Sequence, residues 1–118
     1  MKDLLASLNE SLAARGSVVV AQDGMLIASD VSAGLDLDRL SAMGAAILQR
    51  IGASLPQGGL SALERVEVST EQGKLVLVQA GALFLMVLLG ARREVGPDSI
   101  EIRSAADRIA RQTEFANN

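Results

Sequence analysis

The sequence predicts an α+β domain built on an antiparallel sheet, with the order helix, strand, strand, helix, strand, strand, strand, helix. Apolar residues recur at helical spacing near the start, in the middle and at the end of the chain. Between these segments lie Val- and Leu-rich runs, and two pairs of runs are separated by the tight-turn signals Asp23-Gly24 and Ala80-Gly81-Ala82. Short turns of this kind join antiparallel strands. With 118 residues, the whole chain, 1–118, is expected to form one domain.

A helix and a hairpin are predicted for the first part of the chain. Residues 1–14 are predicted to form the helix, and Gly16 is expected to end it. The β-branched run that follows predicts a strand at 17–22, and a second strand is predicted at 25–29. The intervening Asp23-Gly24 is typical of a two-residue hairpin turn. The apolar stripe of the helix consists of Leu5, Leu8 and Leu12.

The middle helix, predicted for residues 37–55 with Asp36 as its cap, is apolar around most of its perimeter. Such a helix must be covered on more than one side, and a domain of this size cannot easily supply both covers. A second copy of the chain could supply one, so the pattern predicts a homodimer. The main apolar stripe is Leu40, Met43, Gly44, Ile47, Ile51 and Leu55, and the second flank is Ala42, Ala45, Ala46, Leu48, Gly52 and Ala53.

Three strands and a helix are predicted for the rest of the chain. Residues 63–69 alternate apolar and polar side chains, which predicts a half-exposed or edge strand. Two further strands are predicted at 74–79 and 83–89, and the last of them is apolar on both faces. We therefore expect it at the centre of the sheet, with helices above and below. The buried face of the final helix is Ile102, Ala105, Ala106 and Ile109.

The most apolar stretch, residues 75–90, resembles a membrane span at first sight. It falls short of the roughly 20 residues that a helix needs to cross a bilayer, and Gln79 and Gly81 interrupt it. The start of the chain is amphipathic and charged, unlike a secretory signal. We therefore expect no direct membrane insertion, no secretion and a cytoplasmic location.

Composition excludes several classes of function. The chain contains no cysteine and no histidine, which excludes thiolate and histidine metal sites, cysteine nucleophiles and the Ser-His-Asp triad. The formal net charge is -3 and aromatic residues make up 2%, so nucleic acid is not an expected partner. We interpret Asp36 with Asp38 as helix-capping carboxylates, and Glu64 with Glu67 as solvent-facing charges. No enzyme activity, cofactor or metal is predicted.

Four features resemble the Roadblock (dynein light chain) family over nearly the whole chain: the opening helix, the hairpin VVVAQDGMLIASD at 18–30, the long helix of small residues, and the strand ending QAGALFLMVLLG. The resemblance implies a five-stranded antiparallel sheet with the middle helix on one face and the N- and C-terminal helices on the other. It also implies that two copies pair through the middle helix and the following strand. The implied dimer interface consists of Leu40, Met43, Gly44, Ile47, Ile51, Val66, Glu67 and Val68.

Roadblock proteins act as GTPase-activating or scaffolding partners of Ras-like small GTPases in bacteria and as adaptors in eukaryotes. The resemblance therefore implies a regulator or scaffold for such a GTPase, and the chain has no phosphate-binding loop of its own. Arg39, Gln49 and Arg50 are candidates for the partner-binding surface. Candidates for an arginine that a GTPase activator inserts into its partner are Arg39, Arg50, Arg65 and Arg92. The bacterial members of the family, however, act by reshaping the GTPase.

Two alternative functions remain open. The protein would be a pure assembly adaptor if it bound its partner without affecting GTP hydrolysis. It would be a profilin-like sensor of a small ligand if the same type of fold served that role. A sensor should contain a pocket with convergent polar groups inside one copy of the chain, whereas a scaffold should present a filled core and an apolar outer surface.

Overall fold

Five strands and three helices follow one another in the predicted order, α-β-β-α-β-β-β-α. The computed structural model describes the backbone of residues 1–91 and 95–117 and the side chains of residues 1–91 and 100–113. Within this part of the chain the strands form one antiparallel sheet. The elements are α1 (Lys2–Leu12), β1 (Gly16–Val20), β2 (Leu26–Val31), α2 (Leu37–Ser54), a 3₁₀ turn (Pro56–Gly58), β3 (Arg65–Ser69), β4 (Gly73–Ala80), β5 (Leu83–Gly90) and α3 (Val95–Asn117).

Strand β5 lies at the centre of the sheet, whose strand order is β2-β1-β5-β4-β3. This confirms the position predicted from its apolar residues on both faces. The strand predicted at 63–69 is confirmed at an edge as β3, although it begins at Arg65. The stretch 75–90 is confirmed as parts of two strands, joined through Gly81 in the left-handed region with φ 67°. No helix within the described residues combines the length and apolarity that spanning a membrane would require.

The helices divide between the two faces of the sheet as the resemblance implies. α1 and α3 pack together on one face, and α2 covers the other. Each face has its own core because successive strand residues point to opposite sides. The core beneath α1 and α3 includes Leu5, Leu12, Val19, Leu85, Ile102 and Ile109, and the core beneath α2 includes Val18, Val20, Leu48, Leu77, Phe84 and Met86.

Gly16 does not end α1, contrary to the prediction. The helix ends at Leu12, and Ala13 closes it in the left-handed conformation with φ 52°. Gly16 is instead the first residue of β1. A Cβ at this position would lie 2.7 Å from Cγ1 of Val31 on β2. The glycine therefore permits a close approach of two strands, which is a tertiary requirement.

The first hairpin has a three-residue loop, whereas Asp23-Gly24 predicted a two-residue turn. The Gly24 N–H donates to the Ala21 carbonyl at 3.0 Å, and the Ala21 N–H donates to the Met25 carbonyl at 2.9 Å. Gly24 has φ 90°, as the last loop residue of such a hairpin requires. The longer loop places β2 later in the chain than its predicted position.

Helix α2 begins directly after Asp36, as predicted, and the Asp36 side chain caps it: its Oδ1 accepts the Arg39 N–H at 3.1 Å. Only part of the predicted main stripe is buried against the sheet. Gly44 explains the orientation, since a Cβ there would lie 2.8 Å from Sδ of Met86 on β5. The helix therefore packs closest to the sheet along the Gly44 side. Its buried residues are Leu40, Ser41, Gly44, Ala45 and Leu48, whereas Met43 is exposed and Ile47 and Ile51 are half-buried.

Ser41→Ala is expected to raise the free energy of unfolding by about 1 kcal/mol, because the buried Ser41 hydroxyl has no hydrogen-bond partner among the described residues. Urea denaturation followed by circular dichroism measures the change. Ser17→Ala is the control: the buried Ser17 hydroxyl donates to the Leu5 carbonyl at 3.5 Å, so its removal should give no gain. A loss of stability in Ser41→Ala would contradict the prediction.

Candidate functional site

One helix cannot cover the five-stranded face on which α2 lies. Five strands about 4.8 Å apart span about 19 Å, whereas a helix with its side chains is about 10 Å wide. α2 lies above the middle strands, with Gly44 next to Met86 of β5. Strips of sheet therefore stay uncovered on both sides of α2, one toward β3 and one toward β2. These strips are the candidate interaction surfaces of the chain.

The strip toward β3 forms an apolar groove of about 240 Å³, which we call the α2–β3 groove. Two of its large apolar side chains are open to solvent, since Met43 is 45% exposed and Val68 is 37% exposed. Exposed apolar surface rimmed by polar groups marks interaction sites in soluble proteins. The groove is lined by Arg15, Met43, Ile47, Val68, Leu75 and Leu88, with Thr70, Gln72 and Gly73 at one end.

Strand β3 supplies the outer wall of the groove. Val66 and Val68 pair with Leu77 and Leu75 of β4, and side chains of directly paired residues share one face. Val66 packs into the core beneath α2, whereas Val68 lies beyond that cover. β3 is the last strand of the described sheet. The apolar groove is therefore adjacent to an unpaired strand edge.

The charged residues of β3 belong to the opposite face of the sheet. Nη2 of Arg65 and Oε1 of Glu67 form an ion pair at 2.6 Å. Residues two apart in a strand share a face, so this pair and the two valines point to opposite sides. Glu67, which the resemblance placed in the dimer interface, is thus held by its own chain.

The structure brings together only part of the predicted dimer interface. Met43, Ile47 and Val68 line one groove. Ile51 and Val66 are half-buried nearby on α2 and β3, while Leu40 and Gly44 are buried against the sheet of the same chain. Sequence reasoning missed Arg15, Leu75 and Leu88 as groove residues. Their apolar or charged character alone does not show that they line a groove.

The polar candidates lie on the outer side of α2. Arg39, Gln49 and Arg50 are all exposed. Arg39 and Arg50 are eleven residues apart, which places them on one side of the helix about 16 Å from each other. Arg39 also pairs with the Asp36 carboxylate at 3.4 Å. The structure therefore offers two arginines along one exposed line, while Arg92 lies outside the described residues.

Comparison with known proteins identifies relatives of this chain. The family model of the Roadblock/LC7 domain matches residues 1–89. An uncharacterised protein of Methanocaldococcus jannaschii is 35% identical over 106 residues, which cover 90% of this chain and 90% of that protein. Myxococcus xanthus MglB superposes with a TM-score of 0.90 at 19% identity, covering 97% of this chain and 94% of that chain. A Roadblock/LC7 domain from Streptomyces avermitilis superposes with a TM-score of 0.88 at 15% identity, covering 97% and 98%.

A profilin also shares the fold at a lower level of similarity. Profilin IB of Acanthamoeba castellanii superposes with a TM-score of 0.63 at 14% identity, covering 95% of this chain and 98% of that chain. The architecture is thus compatible with more than one function. The choice between these functions depends on the surfaces that this chain exposes.

Gly44→Val is expected to lower the free energy of unfolding by about 1 to 3 kcal/mol, because the added carbons would push α2 away from Met86. Gly52→Val is the matched control in the same helix, where a Cβ would meet no atom within 4 Å. Its effect should stay within about 0.5 kcal/mol. Urea denaturation of both variants measures the difference, and equal effects would contradict the packing of α2 described above.

Proposed function

Because this chain belongs to the Roadblock/LC7 domain family, we propose that it acts in the cytoplasm as a homodimeric regulator or scaffold that binds a Ras-like small GTPase. The α2–β3 groove carries the proposal. It is an apolar surface that one copy of the chain leaves open, and it lies beside an unpaired strand edge. Burial of both features in one contact removes apolar surface from water and completes the hydrogen bonding of the edge.

A second copy of the chain is the proposed cover of the groove. A two-fold dimer uses the same patch twice, so Met43 of each copy would enter the surface that includes Val68 of the other. The half-buried Ile47, Ile51 and Val66 would then lose their remaining contact with water. Antiparallel pairing of the two β3 strands would join the sheets at these edges. Leu40 and Gly44 do not contact the second copy in this arrangement; they pack α2 onto the sheet of their own chain.

The GTPase partner is supported by the family and by the arrangement of α2. Arg39 lies four residues before Met43 and Arg50 seven residues after it, so both border the proposed dimer contact on the same side of the helix. They stay exposed there for another protein, and Gln49 is exposed on the opposite flank. Guanidinium groups bind carboxylates and phosphates in a two-pronged geometry, so they suit an acidic partner surface. We assign Arg39 and Arg50 a binding role, with regulation arising from a changed shape of the GTPase.

The profilin-like alternative requires a ligand pocket inside one copy of the chain. The α2–β3 groove is apolar and opens next to an edge strand. Its polar groups are confined to one end and to Arg15. An occupant with a large apolar surface fits it better than a polar small molecule does, and this favours the dimer.

Met43→Lys is expected to convert the dimer into a monomer, because an ammonium at this position would be buried in a groove that already contains Arg15. Sedimentation velocity measures the oligomeric state, and circular dichroism checks that the fold is kept. Ile27→Lys is a closely matched control, since Ile27 is 44% exposed and Met43 is 45% exposed, but Ile27 lies in β2 at the opposite edge. A wild-type chain that sediments as a monomer, or equal loss of the dimer in both variants, would refute the proposed interface.

The GTPase proposal predicts that the tagged dimer, recovered from its own cells, retains a small GTPase and changes the rate of GTP hydrolysis by the recovered protein. Arg39→Ala combined with Arg50→Ala should weaken binding. At saturating concentrations of the variant, the hydrolysis rate should stay within about twofold of the wild-type rate, because loss of a catalytic arginine would cost about 10³-fold or more.

Three outcomes separate the alternatives in this experiment. A rate loss of the size expected for a catalytic arginine would overturn the binding role of the two residues. A retained GTPase with an unchanged hydrolysis rate would support a pure adaptor. If no GTPase is retained by a chain that is dimeric and folded, the GTPase proposal is wrong while the dimer stands.

A further inference from the structure

The strip of sheet on the other side of α2, toward β2, forms a second and more polar groove of about 480 Å³. We call it the β2–α2 groove. Its position at the opposite edge of the sheet from β3 separates it from the surface proposed for the dimer. Its walls include Asp23, Leu26, Asp38, Ala42, Ala46 and Gln49.

The first part of β2 is an apolar strand edge that the chain leaves open. β2 pairs with β1 on one side and is the terminal strand of the described sheet on the other. Met25, Leu26 and Ile27 are consecutive large apolar residues with exposed fractions of 62%, 39% and 44%. Soluble proteins usually protect such edges with charges or cover them. β3 carries an ion pair within the strand, whereas Met25 and the first two residues of β2, Leu26 and Ile27, carry no charge.

The outer flank of α2 leaves room for side chains of an added strand. A strand placed beside β2 would point alternate side chains toward the α2 side of the sheet. There it would meet Ala42 and Ala46, whose short side chains are exposed. The flank that made the helix apolar around its perimeter thus forms a shallow wall, and apolar side chains of moderate size fit against it.

The charges of the groove select the partner. Asp23 and Asp38 are exposed at its rim, and no lysine or arginine of the described part of the chain lines it. The neighbouring Arg39 pairs with Asp36 instead. A second copy of the chain is a poor occupant, because a two-fold contact through this groove would bring the same carboxylates of both copies together.

We propose that the β2–α2 groove binds an extended, basic segment of a partner protein, which adds to the free edge of β2 as a strand. Backbone hydrogen bonds to β2 hold the segment, its apolar side chains cover Leu26 and the alanine flank, and its lysine or arginine side chains pair with Asp23 and Asp38. This site goes beyond the proposed dimer and does not depend on the GTPase.

Titration of the ¹⁵N-labelled full chain with two synthetic peptides tests the proposal by NMR. The probes are acetyl-Lys-Thr-Val-Thr-Val-Thr-Lys-amide, whose lysines and valines all lie on one face of an extended strand, and its counterpart with glutamate in place of lysine. The lysine peptide should shift the amide resonances of β2 and of the Ala42 to Gln49 flank, and its binding should weaken as salt is added. The glutamate peptide should shift neither set.

A pair of charge variants makes the test specific. Asp38→Lys should weaken binding of the lysine peptide by about tenfold or more. Asp3→Lys is the control, because both aspartates lie in the first turn of a helix while Asp3 lies on α1, on the other face of the sheet.

The proposal is overturned by equal effects of the two variants, by equal binding of the two peptides, or by shifts outside the groove. It is also overturned if the lysine peptide gives no shifts at millimolar concentration. Concentration-dependent shifts of β2 without peptide would show that a second copy occupies the groove and would equally overturn it.

Discussion

The difference in width between the five-stranded sheet and the single helix α2 determines which surfaces this protein exposes. Five strands make a face about twice as wide as one helix. On one face α1 and α3 together cover a core that includes Leu5 and Ile109. On the other face α2 is the single helical cover within the described residues. The two strips that α2 leaves open are therefore consequences of the topology, and each of them reaches an edge strand.

The two open strips differ in chemistry, and this difference argues for different occupants. The α2–β3 groove is apolar, and β3 places its charges on the other face. Apart from Arg15, the described residues that line this groove are uncharged, so it can meet its own copy with little like-charge repulsion. The β2–α2 groove has carboxylates at its rim, so it is better matched to a basic partner than to itself. Under the two proposals, one small domain pairs with a second copy and leaves the opposite end of the sheet for another protein.

The orientation of α2 connects these surfaces to the core. Gly44 brings the helix against Met86, which turns Leu40 and Leu48 toward the sheet. The same rotation places Met43 toward β3 and Ala42 toward β2. The perimeter of the helix is mostly apolar, as the sequence predicts. The apolar residues that the sheet does not cover are divided between the two grooves. Leu40 and Gly44 are buried against the sheet of the same chain, so the proposed dimer contact is narrower than the expected stripe and uses Met43 and Ile47.

Local sequence determined the order of the elements, the cap at Asp36, the central position of β5 and the edge position of β3. These features depend on residue periodicity, on turn chemistry and on whether a strand is apolar on one or both faces. Only the tertiary structure decided the rotation of α2, the role of Gly16 beside Val31 and the identity of the groove residues. Each of these depends on distances between segments far apart in the chain. An apolar residue has the same local pattern whether a neighbouring element covers it or leaves it open.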